Sequence, residues 1–309
     1  MHIFLKESMA SYWFAHIIQQ NIPTDEIPVF VWGNKIDFNQ LRRTVEDNPN
    51  DKYICFDLGF TENQLPILEE ILGNVDVSHF ASWGEELPFG TSYVGDTKSP
   101  LKLWADNFIF NLQQGTDNYL VTEQDMLEPM DIVASVQEYH QYDNTERSHF
   151  VRRLAELFGK NLGEISHIGL KNMRSKNLNI ERILETMKFE EEKYIEKKKS
   201  EAREFNISDT TQIKVFMVYA EKLQNEIAHE LIEENKNQYM EVVVLIGSHT
   251  RGDDLFRVRV SEGISALDVA QELNNGKGKD HAATVFLGDV TQFTFNTIES
   301  ILTTPSDEK

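Results

Sequence analysis

The sequence predicts an α/β protein: a parallel-sheet N-terminal domain, joined by a charged helical linker to a smaller mixed α/β domain. Three observations predict it. Over the first 80 residues, short apolar runs alternate with amphipathic stretches at the spacing of βαβ units. A densely charged stretch from Ile180 to Phe205 then keeps only a narrow apolar stripe. Beyond it, strand and helix patterns alternate again up to a segment rich in Gly and Lys.

Taken in order, Ile3–Leu5 reads as a strand and Met9 to Gln20 as a helix, with Trp13, Phe14, Ile17 and Ile18 on its apolar side. Pro28 to Trp32 is a second strand, and Asp37 to Val45 a polar helix. Tyr53 to Asp57 is a third strand, Leu65 to Leu72 a helix, and Val75 to His79 a fourth strand. Ligands of parallel α/β sheets gather outside the carboxyl ends of the strands. Glu7, Asp57 and His79 all fall at such ends.

Residues 101–170 read as mostly helical, with Leu101, Leu103, Trp104 and Phe108 on apolar faces. The linker stripe is Ile180, Leu184, Met187, Tyr194 and Ile195. No heptad is sustained, so a coiled coil is not expected. A second unit follows: strand Ile213–Tyr219, helix Glu221 to Asn235, strand Met240–Ile246, strand Phe256–Val260, helix Ala266 to Leu273 and strand Thr284–Leu287. The expected organisation is a first domain over 1–170, a linker over 171–206, a second domain over 207–302 and a polar tail over 303–309.

Composition narrows the function. With 30 Lys+Arg against 51 Asp+Glu the net charge is −21, which disfavours binding to long duplex nucleic acid. A local basic pocket for a short anion remains compatible with that charge. No apolar run reaches the length of a membrane span, and the N-terminus lacks the pattern of a secretory signal. The single Cys55 excludes an internal disulfide and a cysteine-based zinc site, so a cytoplasmic protein is expected.

The segment Asn275-Gly276-Lys277-Gly278-Lys279-Asp280-His281-Ala282-Ala283 alternates glycines with lysines ahead of an apolar strand. Glycine permits close backbone approach to an anion, and lysine adds a point charge suited to phosphate. The same residues also make an ordinary flexible turn. Arg257 and Arg259 alternate along a strand and so share one face.

Together these features resemble the DHH–DHHA1 phosphoesterase superfamily, in particular its oligoribonuclease (nanoRNase) and phosphodiesterase branch. Arg257-Val258-Arg259, Asp268-Val269-Ala270, the Gly/Lys segment and Ala282-Ala283 follow the DHHA1 order. The family's glycine triplet and histidine appear here as Gly276-Lys277-Gly278 and Lys279, and its Ala-Ala-Gly ends in Thr284. The resemblance implies substrate contacts from Arg257, Arg259, Gly276, Lys277, Gly278, Lys279 and His281. It also implies metal ligation, with Mn²⁺ as the family's ion, by Glu7, Asp57, His79 and Asp143, and catalytic roles for Asp57 and His79.

Departures from the pattern accompany the match. Ile3 and Leu5 stand where a metal-binding His and Asp would be, and the Asp-His-His signature reads Ser78-His79-Phe80. The surviving ligands belong mainly to one ion site, so one Mn²⁺ or none is expected. Each residue also has an ordinary alternative: a helix N-cap for Asp57, a core histidine for His79 and a solvated carboxylate for Asp143. Three functions stay open. One is a protein that binds short oligonucleotides, nucleotides or another phosphate ligand with hydrolysis weak or absent. The others are an active Mn²⁺-dependent phosphodiesterase and a non-catalytic scaffold with a protein partner in a replication or repair assembly.

Overall fold

In a computed structural model, the protein is described over residues 1–21, 27–113, 123–141, 145–162, 178–207, 213–239, 241–250, 253–286 and 295–303. It divides into two compact units, Met1–Glu185 and Thr186–Lys309. Asp143, the start of the expected linker (171–177) and the tail from 304 lie outside the described residues. No helix among the described residues is long and apolar enough to cross a membrane.

The first unit is built on β1 (His2–Leu5), β2 (Val29–Trp32), β3 (Lys52–Phe56), β4 (Asp76–Ala81) and β5 (Thr91–Val94). They form one parallel sheet in the order β2-β1-β3-β4-β5. Helices α1 (Met9–Asn21), α2 (Phe38–Asp47) and α3 (Leu65–Leu72) connect the first four strands. β1 and β3 are buried along almost their whole length, as continuous apolar strands covered on both faces must be. On one face Tyr53, Cys55 and Val77 pack with Leu41, Val45, Leu68 and Leu72 of α2 and α3. On the other, the Phe14 ring of α1 stacks on Phe56, with centroids 3.9 Å apart. Asp37 caps α2, its carboxylate accepting from the N–H groups of Asn39 (2.9 Å) and Gln40 (3.2 Å). Helices α4 (Pro100–Gln113), α5 (Glu123–His140) and α6 (Glu146–Phe158) follow.

Strand β5 has no counterpart in the sequence expectation. It pairs in parallel with β4, yet residues 82–90 connect the two without a helix, so the alternation that reveals the earlier strands is missing.

The second unit has a six-stranded sheet in the order β10-β11-β9-β8-β7-β6. Its strands are β6 (Arg203–Asn206), β7 (Ile213–Tyr219), β8 (Glu241–Thr250), β9 (Asp253–Val260), β10 (Lys277–Lys279) and β11 (Ala282–Phe286). Only β7 and β8 are parallel, joined by α8 (Gln224–Asn235) as a βαβ unit. Helix α7 (Leu178–Glu201) precedes the sheet, and Tyr194 and Ile195 pack beside α8 on one face. Helices α9 (Ala266–Asn274) and α10 (Phe295–Thr303) cover the other, where Val258, Ala270, Ala283, Val285 and Ile298 meet.

Three expectations need correction here. Residues 203–206, read as the end of the charged helix, instead pair antiparallel with β7. Helix α8 starts at Gln224 rather than Glu221, because Leu223 adopts a left-handed φ of 53°. The Gly/Lys segment is not a free loop: Lys277–Lys279 is an edge strand in a hairpin with β11.

Candidate functional site

In the order β2-β1-β3-β4-β5, the chain leaves β1 outward to β2 and returns to build β3 on the other side. The topological switch, where such folds open a crevice, therefore lies at the carboxyl ends of β1 and β3. Lys6, Glu7 and Ser8 follow one strand and Asp57 the other.

Asp57 adopts a φ of 57°, in the left-handed region that Asp tolerates better than most residues. Its N–H donates to the Phe80 carbonyl at 2.7 Å, turning the chain out of the sheet. The residue is only 7% exposed. Burial pushes its carboxyl up, while a hydrogen bond from Ser8 and the charges of Lys6 and His140 pull it back. Ser8 also caps α1, accepting from the Ser11 N–H at 3.2 Å.

Glu7 faces elsewhere. Its carboxylate pairs with Lys160 at 2.6 Å, and that ammonium sits 5.9 Å from the centre of the Trp32 ring. Tyr12, 5.4 Å from Trp32, completes the group. Burial and the neighbouring Glu7 raise the Tyr12 hydroxyl, and Lys160 opposes them.

His79 is not at a strand end. It lies inside β4, opposite Cys55 of β3, and is fully buried. The ring is enclosed by a chain of hydrogen bonds. Its Nε2–H donates to the Leu58 carbonyl at 2.8 Å, and Nδ1 accepts from the Ser92 hydroxyl at 2.9 Å. Ser92 Oγ in turn accepts from the Leu87 N–H at 3.0 Å. Burial lowers the imidazole to about 4, so it stays neutral near pH 7.

Among the described residues, the side chains do not fit a shared metal centre. Both nitrogens of His79 are engaged, Glu7 is turned toward Lys160, and Ile3, Leu5 and Phe80 are fully buried side chains without ligand atoms. Among the described residues, the one trio with ligand atoms within 4.8 Å of one another is Glu196, Glu230 and Glu234. Its carboxylates are already bridged by the ammonium of Lys199. Asp143 lies outside the described residues.

In the second unit, the sheet register gathers the basic residues. Directly opposed residues of antiparallel strands present side chains on the same face. Lys277 opposes Thr284, which opposes Arg257; Lys279 opposes Ala282, which opposes Arg259. Four cations therefore share one face of β10, β11 and β9. Opposite to it, Val258, Ala283 and Val285 point into the core. Arg259 is tied to Asn225 of α8 through Nη2 at 2.8 Å. Arg257 and Lys277 have no ion-pair partner among the described residues. His281 is exposed in the hairpin turn.

Both glycines stand where packing leaves no room for a side chain. A Cβ on Gly276 would lie 2.4 Å from the Cβ of Ala270, and one on Gly278 would lie 2.4 Å from the Ala283 Cα. Gly276 lets the chain press on α9, and Gly278 lets β10 press on β11. Lysines on so short an edge strand also discourage pairing with another sheet.

Sequence reasoning missed Lys6, Ser8, His140, Lys160 and Thr284. Lys6 and Ser8 flank Glu7 and were legible as strand-end residues. His140 and Lys160 are distant in sequence and carried no signal.

No protein-family model and no curated protein matches the sequence. Among solved structures, the DHH domain of a member of a ribosomal-protein family is similar over 97% of this chain and 85% of its own, at 10% identity and TM-score 0.51. A pGpG-specific phosphodiesterase from Vibrio cholerae is similar over 97% and 98%, at 9% identity and TM-score 0.49. An exopolyphosphatase-related protein from Bacteroides fragilis is similar over 97% and 90%, at 10% identity and TM-score 0.47. At such identities the likeness speaks for the fold. With its five-stranded parallel sheet followed by a mixed sheet, the chain shares the fold of that DHH-domain structure.

Proposed function

We propose that the protein binds a short phosphate-bearing ligand, a nucleotide or a short oligonucleotide, on the basic face of its second unit, with hydrolysis weak or absent. One observation carries this reading: the row Lys277–Thr284–Arg257, whose two cations lack a carboxylate partner among the described residues of a chain with net charge −21. Unpaired cations on so acidic a protein favour an anion from solution. An arginine fork, a lysine point charge and a threonine hydroxyl are together a phosphate-binding set. The second row adds Lys279 and Arg259, with the small Ala282 between them. Gly276, Gly278 and His281 belong to this reading as the residues that shape and flank the hairpin.

Weak or absent hydrolysis is supported by the first unit, where the closed ring of His79 and the apolar Ile3, Leu5 and Phe80 leave few donors for Mn²⁺. The observation favouring an active phosphodiesterase is Asp57, a buried, backbone-strained carboxyl at the switch point. One experiment separates the two. A fluorescent ribodinucleotide is titrated into wild-type protein and Arg257→Ala, and its cleavage is followed with Mn²⁺ present. Loss of a charge-assisted phosphate contact should weaken binding about 10- to 100-fold, with no turnover. Equal binding by the variant would refute the basic-face reading. Mn²⁺-dependent cleavage abolished by Asp57→Ala would establish the active one.

A further inference from the structure

A second feature of the first unit points to a ligand contact independent of phosphate. Of the four tryptophans, Trp13 and Trp104 are buried, and Trp32 is covered by Tyr12 and Lys160. Trp83, in the segment after β4, is 50% exposed. It makes no ring contact and no hydrogen bond through its indole N–H with the described residues.

The exposed ring is nonetheless held firmly. A Cβ built on Gly59 would lie 2.3 Å from Cε2 and 2.4 Å from Cδ2 of Trp83. Those two atoms share the fused bond of the indole, which can be approached so closely only through the ring's face. The indole of Trp83 therefore lies against the glycine through its ring face, while half of the residue stays exposed. The segment that carries it is pinned to the β3 loop: Gly84, at φ 100°, packs on Phe60, and the Glu85 N–H donates to the Phe60 carbonyl at 2.8 Å. The result is a half-exposed indole, backed by a glycine of the β3 loop, at the carboxyl edge of a parallel sheet. The glycine beneath it follows Asp57 by two residues.

We propose that Trp83 is a stacking platform for the base of a nucleotide. A protein-docking patch would be a contiguous apolar surface. Trp83 is instead followed by exposed Gly84, Glu85 and Glu86, which are not apolar. Bases stack on isolated aromatic rings without needing an apolar surround, and a preordered ring loses little entropy on binding. Placement outside the strand ends is where small ligands of such sheets sit. The contact goes beyond the basic face of the second unit, since it requires no phosphate.

The test uses adenosine, which carries no phosphate, titrated into the full chain while tryptophan emission is recorded. Saturable quenching is expected, stronger for adenosine than for uridine and absent with ribose. Trp83→Ala should weaken adenosine binding by roughly 5- to 150-fold, measured by calorimetry because the reporter is removed. Trp83→Tyr should retain most of it, and Arg257→Ala should leave it unchanged. Absence of saturable quenching by adenosine, or equal affinity in Trp83→Ala, would overturn the proposal. A loss of dinucleotide binding in Arg257→Ala with adenosine binding intact would show that the two contacts stand or fall separately.

Discussion

The carboxyl edge of the first sheet and the basic face of the second hold their polar groups in opposite ways. Just inside that edge His79 is closed between Leu58 and Ser92, and at it Glu7 is paired with Lys160 and Asp57 is buried beside Ser8. On the basic face, Arg257 and Lys277 lie on a half-open sheet without carboxylate partners among the described residues. The difference teaches how to read a polar residue at a site. A group whose hydrogen-bonding capacity is used internally stabilises the fold, and one left unsatisfied at the surface is available to a ligand.

The largest expected effect comes from breaking the internal side of that contrast. His79 falls from 6.5 in the unfolded chain to about 4 in the folded one, so between those values the unfolded state binds the extra proton. Its contribution is complete above pH 6.5 and lost as pH falls toward about 4; at about 1.4 kcal/mol per unit it is on the order of 3 kcal/mol. The raised carboxyl of Asp57 acts in the opposite sense, gaining stability as pH falls, and offsets part of the loss. Urea unfolding of wild type and His79→Leu at pH 7 and pH 5 measures the effect. The variant should be about 2–4 kcal/mol less stable at pH 7, with the Ser92 hydroxyl proton and the Leu58 carbonyl each losing a partner, and should lose less on acidification.

Next in size is the hairpin that presents the lysines. Gly278→Ala places a methyl against the Ala283 backbone and should cost about 2–3 kcal/mol in thermal or denaturant unfolding. A variant of wild-type stability would mean that the hairpin yields freely, and that the glycine is there for another reason.

The comparison is sharpened by two lysines. Lys277→Ala should weaken ribodinucleotide binding about 5- to 20-fold and flatten its salt dependence, with stability within about 0.5 kcal/mol of wild type. Lys160→Ala breaks a partly exposed pair with Glu7 and should change stability by about 1 kcal/mol or less, leaving dinucleotide binding intact. A reversal of the two results would move the ligand from the second unit to the first.

Much of the architecture was legible because buried parallel strands and amphipathic helices carry distinct periods. Tyr53-Ile54-Cys55-Phe56 and Leu65–Leu72 declare themselves in this way. β5 and β6 were not legible: one lacks a preceding helix, and the other is a short edge strand at the end of a charged helix. In the candidate site, Arg257 and Arg259 were placed on one face by strand alternation. Nothing local could indicate that Lys277 and Lys279 join them, because that depends on the pairing of β10 with β11 and β9.

By itself the sequence determined the two α/β halves, a long charged helix, and the chemical types available at each strand end. These depend on periodicity and composition, which are properties of neighbouring residues. Tertiary structure decided which polar groups are used up. His79 became a neutral buried crosslink, Asp57 a strained buried carboxyl and Trp83 a half-exposed ring seated on Gly59. Burial and hydrogen-bond partners come from residues far apart in the chain, and only the folded arrangement brings them to the same place.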